Sequence, residues 1–158
     1  MTRWIFTTGV VFVAATFSAT GPRAQTAEPS LDLTAYFGAA GLVRDTNGDG
    51  LADHVAARVI VPAEPALEDS LAAANLAGRL GFETTALTLP LVVRDSDANL
   101  APPAVVPVFV GRSNRFVRDL AAKGALSLDG VLPGQGLISV VRSPLGDGGA
   151  LVVAGGDD

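Results

Sequence analysis

The chain has 158 residues, 11 Lys and Arg against 16 Asp and Glu, and a formal net charge of −5; 49% of its residues are hydrophobic and 6% aromatic. That length holds one domain with its own core, and that hydrophobicity excludes a disordered chain, which needs few apolar residues and high charge. With no cysteine and one histidine, His54, the sequence excludes disulfides, thiolate metal sites, a cysteine nucleophile, a lipidated cysteine and a multi-histidine zinc site.

The first element is an export signal. Arg3 supplies a positive start, and an apolar run extends from Trp4 to about Ala19, followed by small and polar residues. The run is short for a membrane span of roughly 20 apolar residues, and Thr7, Thr8, Thr16 and Ser18 dilute it. Residues 1–26 therefore read as a secretory signal peptide, with cleavage somewhere in 19–27, and residues 27–158 as the exported domain. Removing 1–26 takes away Arg3 and Arg23 and no acid, leaving nine basic and 16 acidic residues and a net charge of −7. Such an acidic domain is a poor ligand for nucleic acid or an anionic membrane, both of which are held through Lys and Arg. The expected location is periplasmic or extracellular.

Downstream, DLTAYFGAAGL predicts a short helix or turn before Leu42. HVAARVIVP, 54–62, alternates and then becomes wholly apolar and β-branched, which predicts a strand ending at Pro62. A helix follows, with Pro65 in its first turn, Glu68 and Asp69 at its positive end and Gly81 as its stop. Its inner stripe reads as Leu67, Leu71 and Ala74, widened by Ala73, Leu76 and Leu80. TTALTLPLVV, 84–93, is β-rich, with Pro90 marking an edge or a break. RDSDANLAPPA is a polar loop, and VVPVFVG, 105–111, a short buried strand. SNRFVRDLAAKG predicts a second helix, capped by Ser113 or Asn114, stopped by Gly124, with Phe116, Val117, Leu120 and Ala121 inward. GLISVVRSP and ALVVAG are two last strands around an LGDGG turn. The alternation of strands and helices predicts a single α/β sandwich domain with a mixed sheet and two main helices. The closing Gly-Gly-Asp-Asp has the composition of a helix entry. It raises the expectation of a longer exported protein, with a frayed tail after an edge strand as the alternative.

The densest polar stretch is RDTNGDGLADHV, residues 44–55. Asp45, Asn47 and Asp49 stand at positions 1, 3 and 5, Gly50 at the sharp-turn position 6, Leu51 with its carbonyl at position 7, and Asp53 at position 9. A loop that wraps an ion turns every second side chain inward, and six to eight oxygens suit a hard cation such as calcium. Position 12, the place of the bidentate Glu in an EF-hand, is Ala56, and a strand follows in place of a helix. The alternative is an Asx-rich turn that needs no ion, since Asn, Asp and Gly form turns unaided.

The DTNGDGLAD segment resembles the calcium loops of exported β-proteins, the FG-GAP/VCBS propeller blades and thrombospondin type 3 repeats. That resemblance implies Asp45, Asn47, Asp49, Asp53 and the Leu51 carbonyl as ligands of a structural calcium, with an affinity of about 10⁻⁴–10⁻³ M. It covers some nine residues in one copy, so a propeller is not implied.

Other candidates are thinner. The strand-to-helix turn VGRSNR places Arg112, Ser113 and Asn114 where a helix N-terminus favours an anion or a sugar hydroxyl; an ordinary capped helix explains the same residues. Glu64, Glu68, Asp69, Glu83, Asp95, Asp97, Asp129 and Asp147 show no spacing that pairs two carboxylates for glycoside hydrolysis, and solvated surface is their expected place. No serine has a nucleophile-elbow context. Residues 105–158 are loosely similar to the non-catalytic α/β domains at the front of exported carbohydrate-active proteins. The expectation is thus an exported, non-catalytic α/β domain with a calcium-stabilised loop, the N-terminal accessory part of a larger surface or carbohydrate-related protein. The alternatives are the front of a secreted hydrolase whose catalytic portion lies beyond residue 158, and a stand-alone periplasmic binding protein.

Overall fold

The computed structural model describes residues 32–38, 41–98, 105–145 and 148–156. The expected signal peptide, the prolines of the 94–104 loop and the two final aspartates lie outside the described residues. Among those described, no helix is long and apolar enough to cross a membrane.

A 3-10 turn, Leu33–Phe37, opens the fold, with Asp32 accepting the Thr34 amide at its start. Strands β1 (Val43–Arg44) and β2 (His54–Val55) pair antiparallel, with Val43 opposite Val55 and Arg44 opposite His54. After Ala56 the chain enters the main sheet: β3 (Ala57–Val61), helix α1 (Leu67–Phe82), β4 (Val92–Arg94), β5 (Val106–Val110), helix α2 (Arg115–Ala122), β6 (Gly136–Arg142) and β7 (Gly149–Gly155). The sheet order is β4-β3-β5-β7-β6. The first four strands in that order run parallel, and β6 runs antiparallel to β7. The chain is a mixed-sheet α/β domain with two helices, as its pattern predicts.

The strands alternate their loyalty with period two. Val59, Val61, Val108, Val110 and Leu151 pack on one face with Ala73 and Leu80 of α1. Ile60, Phe109, Val152 and Ala154 pack on the other with Phe116, Val117 and Leu120 of α2. Both faces of the central strands are therefore buried, which is why β3 and β5 read as continuous apolar runs. Each fully buried Val, Ile or Phe contributes about 1.5–3 kcal/mol. Phe109 and Phe116 add a ring contact with centroids 5.0 Å apart.

Three local expectations need correcting. The inner stripe of α1 is Ala73 and Leu80, flanked by Ala72, Leu76 and Ala77, whereas Leu67 and Leu71 are 69% and 55% exposed. Apolar residues occupy most of this helix's circumference, so periodicity does not choose a face; the alanine side lets the helix approach the sheet closely. The helix also passes through Gly81 to Phe82, and its Ala66 N-cap makes no side-chain hydrogen bond. Of the β-rich segment 84–93, only Val92 and Val93 enter a strand, the short edge β4, beyond Pro90. Proline and the exposed Leu87 and Leu89 mark the preceding stretch as loop.

Candidate functional site

The loop between β1 and β2 is closed at its base by the Asp53 amide, which donates to the Arg44 carbonyl at 2.9 Å. Its inside is built from its own side chains. Asp45 accepts two backbone amides, Gly48 on Oδ1 at 2.6 Å and Gly50 on Oδ2 at 2.8 Å. Asn47 Oδ1 accepts the Asp49 amide, and Asp49 Oδ1 accepts the Leu51 amide. The Asn47 amide donates to Asp49 Oδ2 at 3.1 Å. Asp53 takes the Thr46 amide and, through both oxygens, the Thr46 hydroxyl. Gly48 and Gly50 have φ of +79° and +87°, the left-handed region that a side chain resists, so the glycine at position 6 supplies the sharp turn.

This arrangement has an electrostatic consequence. The Gly50 and Gly48 amides hold the Asp45 carboxyl below the usual carboxylate value of 3.8. Asp45 is therefore charged at neutral pH at the centre of a ring of backbone dipoles. Each of its oxygens accepts one amide and keeps a second lone pair.

Those lone pairs decide how the loop suits a hard cation. Its donors are all oxygens: three carboxylates, one amide and one carbonyl. As folded, they serve the loop itself, and among the described residues no group of three or more His, Cys, Asp or Glu is gathered into a metal shell. To hold one ion, Asp49 and Asp53 have to exchange part of their present hydrogen bonding for it. Because most of the loop is exposed, that exchange displaces no packed side chain.

The loop is also wired to the core. The Ala52 carbonyl accepts the Thr85 amide at 2.8 Å and the Thr84 hydroxyl at 3.1 Å, both just beyond α1. The Ala56 amide donates to the Leu42 carbonyl, and its carbonyl takes the Val106 amide. His54 begins β2, half-buried, with Nδ1 3.5 Å from the Thr88 hydroxyl.

The second polar stretch lies at the carboxyl ends of β3 and β5. The chain leaves β3 toward one edge over one face and leaves β5 toward the other edge over the opposite face. Doubly wound sheets place ligands at such a crevice. Here it is stitched shut. Asn114 is fully buried; its amide donates to the Ile60 carbonyl of β3 at 2.9 Å and to the Val110 carbonyl of β5 at 3.4 Å. Its Oδ1 caps α2 by accepting the Phe116 amide at 3.0 Å. Asn114 is thus the cap of the second helix. Arg112 is half-buried and donates to the Gly156 carbonyl at 3.4 Å; Ser113 is exposed.

Asp95 corrects the expectation that the scattered carboxylates are all solvated. It is 5% exposed and accepts the Arg115 amide at 2.8 Å, while its own amide donates to the Val61 carbonyl. A carboxylate at a helix N-terminus is favourably placed against the helix dipole. The sequence offers no local signal for this, since its partner lies twenty residues away. Asp69 packs its carboxylate against Gly111, where a Cβ would come within 2.5 Å of it and φ is +87°. No buried side-chain polar atom among the described residues lacks a partner. Compared with known proteins, the chain matches no protein-family model and no curated sequence.

Proposed function

We propose that this chain is an exported, non-catalytic α/β domain whose 45–53 loop takes calcium as a structural ion, serving as an accessory part of a larger surface or carbohydrate-related protein. The observation that carries the ion is Asp45: an ionised carboxylate at position 1, encircled by the amides of positions 4 and 6 with lone pairs to spare. Asn47, Asp49, the Leu51 carbonyl and Asp53 follow it in the register of an oxygen-ligated loop. The ion supplies positive charge that relieves the repulsion of three carboxylates. Fixing the loop fixes the β1–β2 pair, and through Ala52 and Ala56 it steadies the entry to β3 and the exit from α1.

Thermal unfolding of the purified chain, with and without calcium, tests this. At ten to a hundred times the dissociation constant, a single-site ligand adds about 1.4–2.7 kcal/mol, which corresponds to a rise of roughly 5 °C in Tm. Asp49→Ala is expected to abolish the rise. No shift in millimolar calcium sinks the ion site.

A further inference from the structure

Among the described residues, strand β6 ends the sheet. Its partner in the sheet is β7, and the pairing is unbroken from Gly136 opposite Gly155 to Arg142 opposite Gly149, with no bulge. The register directs the backbone N–H and C=O groups of Gly136, Ile138 and Val140 away from β7, and among the described residues no strand takes them, so a further strand can. The opposite edge, β4, has three residues, the last of them the charged Arg94. Edges are otherwise protected by Pro, charged side chains or bulges, and Gly136–Arg142 contains no proline and a single charge, Arg142, at its end. Its middle is Leu137, Ile138, Ser139, Val140 and Val141, and Ile138 is 62% exposed.

The sequence of this edge is self-complementary. In an antiparallel pair centred on Ser139, Ile138 stands opposite Val140 of the second copy and Leu137 opposite Val141. Ile138 and Val140 share a face with their β7 partners Val153 and Leu151, the face of α1. Leu137 and Val141 lie on the face of α2. Each apolar side chain therefore meets an apolar one on its own face, the arrangement that stabilises cross-strand pairs. Arg142 falls opposite Gly136, so no like charges meet. Centring on Val140 instead shortens the ladder and sets Arg142 against Ile138. Beside the edge on the α1 face, Ile138, Leu33 and Phe37 line one groove of about 440 Å³ and are themselves exposed. The pairing thus extends an apolar surface.

We propose that β6 is a dimerisation edge, where two copies of this chain pair antiparallel about a two-fold axis at Ser139 and join two five-stranded sheets into one. Sedimentation and light scattering of the full chain are expected to give twice the chain mass. Ile138→Lys keeps an exposed position exposed and is expected to weaken association at least tenfold without loss of the folded signal. The chain has no cysteine, so any covalent dimer formed by copper-phenanthroline oxidation of a single-cysteine variant reports on the interface. Ser139→Cys is expected to cross-link in high yield and Arg142→Cys hardly at all, because two copies of residue 142 lie about 20 Å apart at roughly 3.4 Å per residue. A monomer at sub-millimolar concentration overturns the proposal. So does a dimer indifferent to Ile138→Lys, or one that cross-links equally at 139 and 142.

Discussion

The loop 45–53 and the turn 111–115 are both short polar stretches between apolar elements, and they use the same chemistry to opposite ends. In each, Asn and Asp oxygens accept backbone amides. At the turn, Asn114 is fully buried, and Asp95, which reaches it from the end of β4, is nearly so; their bonds join β3, β5 and the start of α2. In the loop, Asp45, Asn47 and Asp49 are exposed and, among the described residues, bond to their neighbours within the loop. Burial makes the first set irreplaceable, since losing a partner strands a buried polar group. Exposure leaves the second set exchangeable, because water or an ion can take the place of any bond. The buried cluster builds the fold, and the exposed one is free to respond to solution.

Substitutions widen this contrast in order of effect. Asn114→Ala strips the buried Phe116 amide of its cap and removes the donor to the Ile60 and Val110 carbonyls, and is expected to cost about 3 kcal/mol in urea unfolding. Asp95→Ala removes the acceptor for the Arg115 amide and is expected to cost about 1–2 kcal/mol, the range of a lost helix cap. Asp49→Ala in calcium-free buffer is expected to change stability by about 0.5 kcal/mol or less, as exposed substitutions do, while removing any response to calcium. A similar loss from Asp49→Ala and Asn114→Ala would break the distinction between the two stretches.

The smallest effect is an acid limb. The folded pKa of Asp45 is depressed, so its contribution is complete above the usual value of 3.8 and is lost as pH falls below it through the folded value. Asp45→Asn is expected to flatten the stability profile of the chain in that acid range, so that the variant is slightly less stable than the parent near neutrality and equal to it in strong acid. Thermal melts across the acid range check this.

Much of the architecture is legible in the sequence because its strands and helices carry different periods. ARVIV and VPVFV announce apolar strands, and Phe116, Val117 and Leu120 show the inner face of α2. The face of α1 is not legible, because Leu67, Leu71, Leu76 and Leu80 sit among alanines on overlapping stripes. Within the loop, the alternation of Asp45, Asn47 and Asp49 and the turn at Gly50 are local facts and can be read directly. That Asp53 settles on Thr46, and Asp95 on the start of α2, depends on pairing that no local pattern encodes.

The most direct measurement is a calcium titration followed by backbone amide NMR of the full chain. Saturable shifts are expected, confined to Thr46–Asp53 and the adjoining Thr84 and Thr85 and largest at Gly48 and Gly50, whose amides face Asp45. The amides of Gly111–Phe116 are expected to stay where they are. An unmoved loop in millimolar calcium, or shifts centred on the 111–115 turn, would contradict a calcium site in the 45–53 loop.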